Sequence, residues 1–96
     1  MLNPKQRQYL KGLAHSLNPT VLVGEAGVSD AVLAELDRAL AHHELLKVRL
    51  PALEREERER MAEEMAARVA AETVQRIGRI VVLYRPGEKQ RIVLPK

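Results

Sequence analysis

The stretch Val21-Leu22-Val23-Gly24-Glu25-Ala26-Gly27-Val28-Ser29-Asp30 carries an apolar, β-branched run through a Gly-x-x-Gly turn and straight into the start of a helix. Two glycines three apart let another molecule approach the backbone without meeting a Cβ. Ser29 is a good N-cap, Asp30 suits the first turn, and Val28 with Leu33 has the spacing of a hydrophobic staple. A helix starting there aims unpaired N–H groups and the positive end of its dipole at the turn, which is the geometry of a phosphate-binding loop. The same four residues also make an ordinary strand-to-helix turn with no ligand, so the neighbouring sequence has to separate the two readings.

Working outward, residues 20–23 read as a short buried strand, and Val32, Leu33, Leu36 and Leu40 form the core stripe of the helix after the loop. Leu46-Lys47-Val48-Arg49-Leu50 alternates with period two, giving a second strand with one apolar face and two cations on the other. A crossover of a dozen or more residues between these strands implies a parallel, right-handed pair, with the glycine loop at the carboxyl end of the first strand, where α/β sheets collect ligands. Upstream, Asn3-Pro4-Lys5-Gln6 has the N-cap, proline and glutamine of a helix start, and Leu10, Leu13, Ala14 and Leu17 continue it over roughly 3–16 until Asn18-Pro19. Downstream, residues 54–72 read as a third helix with Met61, Met65, Val69, Ala62 and Ala66 as core. Its outer face carries the pairs Glu54–Arg58, Glu56–Arg60 and Glu64–Arg68, each worth about 0.2–0.5 kcal/mol. Residues 74–77 and 80–85 form an antiparallel hairpin around Gly78-Arg79. The unbroken apolar run Ile80-Val81-Val82-Leu83 implies a strand buried on both faces, so the first helix is expected to cover at least part of the face that the other two leave open. Residues 91–94 add an edge strand or an extended tail, with Pro95 against a central place. The order is α-β-α-β-α-β-β, an α/β (α+β) chain.

The 96 residues suit one domain, 1–96, with a modest core, and no apolar stretch approaches the roughly 18 residues of a membrane span. No apolar core of a signal peptide follows Met1-Leu2-Asn3-Pro4-Lys5, and cysteine is absent, so a cytoplasmic protein with no membrane association is expected. The net charge of +3 is unevenly spread: residues 1–30 carry +1, 31–53 carry 0, 54–72 carry −3 and 73–96 carry +5. Basic ends around an acidic middle suit an anionic partner meeting one side of the molecule, since such attraction acts over about 8–10 Å. With neither Phe nor Trp, an aromatic base-stacking platform is excluded; Tyr9 and Tyr84 are the only aromatic candidates, and Tyr84 is expected at the rim of the sheet with its hydroxyl wet.

The blocks Leu10-Lys11-Gly12-Leu13-Ala14-His15, Val23-Gly24-Glu25-Ala26-Gly27-Val28, Leu40-Ala41-His42-His43-Glu44-Leu45-Leu46-Lys47-Val48 and Ile77-Gly78-Arg79-Ile80-Val81-Val82-Leu83-Tyr84-Arg85-Pro86 stand in an order and spacing that resembles the YhbY proteins, stand-alone bacterial forms of the CRM (chloroplast RNA splicing and ribosome maturation) domain. That resemblance implies a four-stranded mixed sheet similar to the C-terminal domain of translation initiation factor three, and an RNA-binding module of precursors of the large ribosomal subunit. The family's Gly-x-x-Gly loop is Gly24, Glu25, Ala26 and Gly27 here, a loop type that also clamps RNA backbone in KH domains. Glu25 departs from the basic or neutral residue common at its position and would repel a phosphate unless it faces outward. Arg7, Lys11 and His15 share a stripe on the first helix with Lys5 at its start. Together with Lys47, Arg49, Arg79 and Arg85 they are the cations expected to meet phosphate or 2′-hydroxyl groups.

Catalysis finds no constellation. His42 and His43 are adjacent, with no third residue at metal-ligand spacing, and fit a helix end where His favours the dipole. His15-Ser16 is too close in sequence for a nucleophile and base, and neither serine lies in a Gly-x-Ser-x-Gly elbow. The expectation is a monomeric RNA-binding protein without enzymatic turnover, catalytic residues, metal, cofactor or small-molecule substrate, whose partner is large-subunit ribosomal RNA or its precursor particle. The alternative is a protein-interaction adaptor recruited through a ribosomal protein by the charged third helix.

Overall fold

The first helix, α1 (Pro4–Ala14), starts on a complete capping box: the Asn3 side chain accepts the Gln6 N–H at 2.8 Å and the Gln6 side chain accepts the Asn3 N–H at 3.1 Å. In this computed structural model, which describes residues 2–96, α1 is followed by β1 (Pro19–Leu22), α2 (Asp30–His43), β2 (Leu45–Arg49), α3 (Arg55–Arg68), β3 (Glu72–Ile77) and β4 (Ile80–Tyr84). One four-stranded sheet has the order β1-β2-β4-β3, with β1 parallel to β2 and the other two pairs antiparallel. The α/β (α+β) order and the mixed sheet are those expected.

The sheet separates two cores. On one face α2 and α3 bury Leu36, Leu40, Met65 and Ala62 against Val21, Val48, Val81 and Leu83. On the other, α1 brings Leu10 and Ala14 onto Leu45, Val74, Val82 and Tyr84. Residues 81–84 of β4 therefore alternate between two apolar layers, which is why that strand has no polar period.

Three local readings change. The third helix ends at Arg68 rather than 72, because Ala70 turns into positive φ (+54°) and the Ala71 N–H bonds back to the Ala66 carbonyl at 2.9 Å; Glu72 and Thr73 then join β3. Of the expected pairs on its outer face only Glu64–Arg68 closes (3.5 Å), and Arg55–Glu59 (3.3 Å) closes instead. Residues 91–94 take the extended-tail form, one of the two expected, with Ile92 and Leu94 laid against the α1-side core. That tail, with α1, also overturns the wet rim position for Tyr84: the residue is buried and its hydroxyl has no hydrogen-bond partner among the described residues. Burial, then the charges of Glu44 and Glu72, push its phenol above the ordinary tyrosine range.

Candidate nucleic-acid interface

The α1 face of the sheet is covered at one end and open at the other. Strand register arranges its side chains in rows across the strands. Leu45, Tyr84 and Glu72 form the row beneath α1; Lys47, Val82 and Gln75 form the next; Leu22, Arg49, Ile80 and Ile77 form the last. Leu22 is 66% exposed and Ile77 62%, so α1 stops short of this last row and leaves two large apolar side chains in water. An open groove of about 570 Å³ follows the boundary, lined by Lys11 and His15 of α1 and Lys47, Gln75 and Ile77 of the sheet. Arg49 lies one row further out, exposed between Leu22 and Ile80. Lysine, histidine and arginine thus rim an aliphatic floor, a surface suited to phosphate and sugar contacts with apolar packing beside them.

The glycine loop stands at the edge of that floor. The Val23 N–H bonds the Arg49 carbonyl at 2.9 Å, and residues 24–27 then close a turn through the Gly27 N–H to the Gly24 carbonyl, also 2.9 Å. Gly27 needs its φ of +86°, and a Cβ there would also stand 3.7 Å from the methyl of Met61 on α3. Gly24 has open space around it. Glu25 and Ala26, the two central residues of the turn, are exposed. The Ser29 hydroxyl caps α2 by accepting the Val32 N–H at 3.2 Å. Glu25 and Asp30 place two carboxylates around the helix start.

The other predicted cations are distributed differently. Arg7 turns beneath α1 and donates through Nη1 to the carbonyls of Thr73 and, at 3.3 Å, Val74, where β3 bulges. Lys5 is exposed near the opposite end of α1 from His15, about 15 Å away at 1.5 Å per residue. Arg79 donates its Nε to the Leu50 carbonyl at 2.9 Å, which pins the hairpin turn to the end of β2. Arg85 lies at the far end of β4, roughly 17 Å from the hairpin, and joins three elements: it reaches Asp37 of α2 at 2.7 Å and the Val69 carbonyl after α3 at 2.9 Å. The structure therefore lines one groove with Lys11, His15 and Lys47, sets Arg49 one row nearer the glycine loop, and ties Arg7 and Arg85 into internal hydrogen bonds, while Arg79 makes one such bond and stays exposed.

A group that no sequence pattern flags is Glu44. It is the buried C-cap of α2, held at φ +62°, and its carboxylate accepts the N–H groups of Gly87 (2.6 Å), Ile92 (2.8 Å) and Arg91 (3.2 Å). Burial alone would raise its pKa, but these three donors and the Arg91 charge outweigh it and hold the carboxyl below the ordinary glutamate range. Leu22, Ile77 and Ile80 carry no site signal in the sequence either, because an apolar residue in a strand reads as core until it is known which end of the sheet the helix covers.

The CRS1/YhbY (CRM) domain model matches residues 2–85. The chain belongs to the CRM domain family. Among its relatives, an RNA-binding protein of Haemophilus influenzae is 47% identical over 95 residues, covering 99% of this chain and 96% of that one. A protein of Bacillus subtilis named as a probable RNA-binding protein is 35% identical, covering 99% of this chain and all of the relative. The CRM fold recurs in the solution structure of a hypothetical protein from Staphylococcus aureus, described as a candidate RNA-binding protein, with TM-score 0.85 and 33% identity over 99% of this chain and 100% of that one.

Proposed function

We propose that this CRM domain binds RNA on the uncovered end of its α1-side sheet face, and that it acts in this way as an assembly factor on large-subunit ribosomal RNA. The observation that carries the reading is the last sheet row, where exposed Leu22 and Ile77 share a row with Arg49 beside a groove rimmed by Lys11, His15 and Lys47. Relatives covering nearly the whole chain are named RNA-binding proteins, which supports the same class of partner. Phosphates would meet Lys11, Lys47 and Arg49, and the glycine loop would border the strand with its backbone while Glu25 points away. The protein works by binding, as a cytoplasmic monomer without turnover chemistry.

The test is a salt series of binding to fragments of large-subunit ribosomal RNA by the wild type, a Lys11→Gln/Lys47→Gln/Arg49→Gln variant and Gly24→Asp. Gly24 is chosen because it has room for a side chain, whereas Gly27 would be strained. Loss of three phosphate contacts should flatten the slope of log affinity against log salt by roughly 2, at about 0.7 per contact for single strands. Gly24→Asp should weaken binding if the loop borders the RNA. Unchanged RNA affinity in the triple variant, with ribosome association lost on reversing charges of α3, would favour the adaptor reading.

A further inference from the structure

On the opposite side of the same sheet end lies a second basic feature, outside the surface just described. A notch of about 240 Å³ opens between the first turns of α3 and the β3–β4 hairpin, walled by Arg55, Arg58 and Glu59 of α3 and by Arg76 and Gly78, with Leu50 among the residues beneath. Arg76 projects to this side because it pairs with Val81, a residue of the α2/α3 core. Three guanidinium groups face one carboxylate, and that carboxylate is committed to Arg55 at 3.3 Å. The Nε of Arg58 is buried and has no hydrogen-bond partner among the described residues. Glu56 and Glu57, in the same helical turn, are exposed and do not line the notch.

With Glu59 held by Arg55, the guanidinium groups of Arg58 and Arg76 leave the notch walls with an excess of positive charge, and an anion with several oxygens is the ligand that balances it. Planar guanidinium forks match phosphate oxygens two at a time, which a lysine cluster would not do. The lining narrows the ligand further. The notch of about 240 Å³ is walled by guanidinium groups and has no aromatic ring on which a base could stack, so its contacts suit a phosphate group. Its position supplies the source. The hairpin is tied to the end of β2 by the Leu50 N–H to the Arg79 carbonyl (2.7 Å), so the notch borders the same end of the sheet as Arg49 and the glycine loop.

We infer that Arg58 and Arg76 seat one phosphate of an RNA backbone that crosses from the open sheet face over the hairpin end. This rests on the RNA-binding reading, and it makes the start of α3 part of the contact although the helix as a whole is acidic.

The experiment pairs two measurements on the full chain. The first is the affinity of an RNA fragment across a salt series for the wild type, Arg58→Gln/Arg76→Gln and Lys47→Gln/Arg49→Gln, each shown to be folded by its amide spectrum. The notch variant should bind several-fold more weakly at low salt, with a slope reduced by about 0.7 for one lost phosphate contact. The second follows the Arg58 Nε–H resonance of the labelled wild type during titration with inorganic phosphate and then with RNA. Both should shift it, and RNA should do so at far lower concentration. An unchanged affinity and slope in the notch variant, with binding lost in the sheet-face variant, overturns the notch while leaving the RNA reading intact. A shift with phosphate but none with RNA overturns the RNA source and leaves a free-anion seat. Wild-type protein that binds no RNA overturns both readings.

Discussion

Glu44 shows how one side chain can hold two parts of a chain that have no sequence relation. Its backbone at φ +62° is an unfavourable conformation for a residue with a Cβ, and it persists because the carboxylate is anchored by three N–H groups from residues 87–92. Glu44→Gln keeps the shape and removes the charge, so about 2 kcal/mol should be lost, near the range for hydrogen bonds to charged groups. At 4–8 °C per kcal/mol for a chain of this size, that is a fall in Tm of roughly 8–16 °C at pH 7. The sign with pH follows from the lowered folded-state pKa: the unfolded chain takes up the proton first, so the contribution is complete above the ordinary glutamate range and disappears as pH falls through and below it. The difference in stability between wild type and E44Q, read from thermal unfolding at pH 7 down to pH 3, should therefore shrink with acid. A constant difference would mean that the charge is not what holds the tail. Nothing in His42-His43-Glu44 announces this role, because its donors lie more than forty residues away.

Among the elements, the helices are legible where local chemistry decides them. Asn3 and Ser29 cap α1 and α2 as their spacing implies, and the apolar stripes of α2 and α3 face the core. The end of α3 is not legible: an alanine at positive φ breaks it where neither glycine nor proline marks a stop. Arg85 belongs to the same class of surprise. It looks like a free cation at a strand end, yet its guanidinium bridges β4 to α2 and to the carbonyl that ends α3. Arg85→Ala should cost about 1–2 kcal/mol, mostly through the Val69 carbonyl, since the Asp37 side chain is largely exposed and its share is screened. RNA affinity measured below the melting range should change little. A variant that melts like the wild type but loses RNA would return Arg85 to the binding surface.

For the whole molecule, the sheet carries one core on each face, and the smaller one is completed only when α1 and the tail both arrive. Deleting residues 88–96 removes Ile92 and Leu94 from that core and two of the three donors from Glu44. A loss of about 3–4 kcal/mol is expected from partial burial of two aliphatic side chains plus hydrogen bonds to a charged acceptor. Tyr84 should become accessible to solvent, with its phenol titrating closer to the ordinary range in an ultraviolet pH titration. A deletion that leaves both stability and the Tyr84 titration unchanged would show that α1 alone seals this side.

Sequence by itself determined what depends on neighbours along the chain: the capped helices, the glycine turn between β1 and α2, the hairpin at Gly78 and the order of elements that separates a parallel pair from an antiparallel one. Periodicity and capping are local, so they survive being read one residue after another. Tertiary structure decided which cations are available and which apolar residues are not core. Arg7 and Arg85 meet backbone carbonyls distant in sequence, while Lys11, Lys47 and Arg49 are left at an open sheet end. A charge or an apolar side chain is neutral as to its use until the fold places an acceptor, a covering helix or water beside it, and that placement is a property of long-range packing.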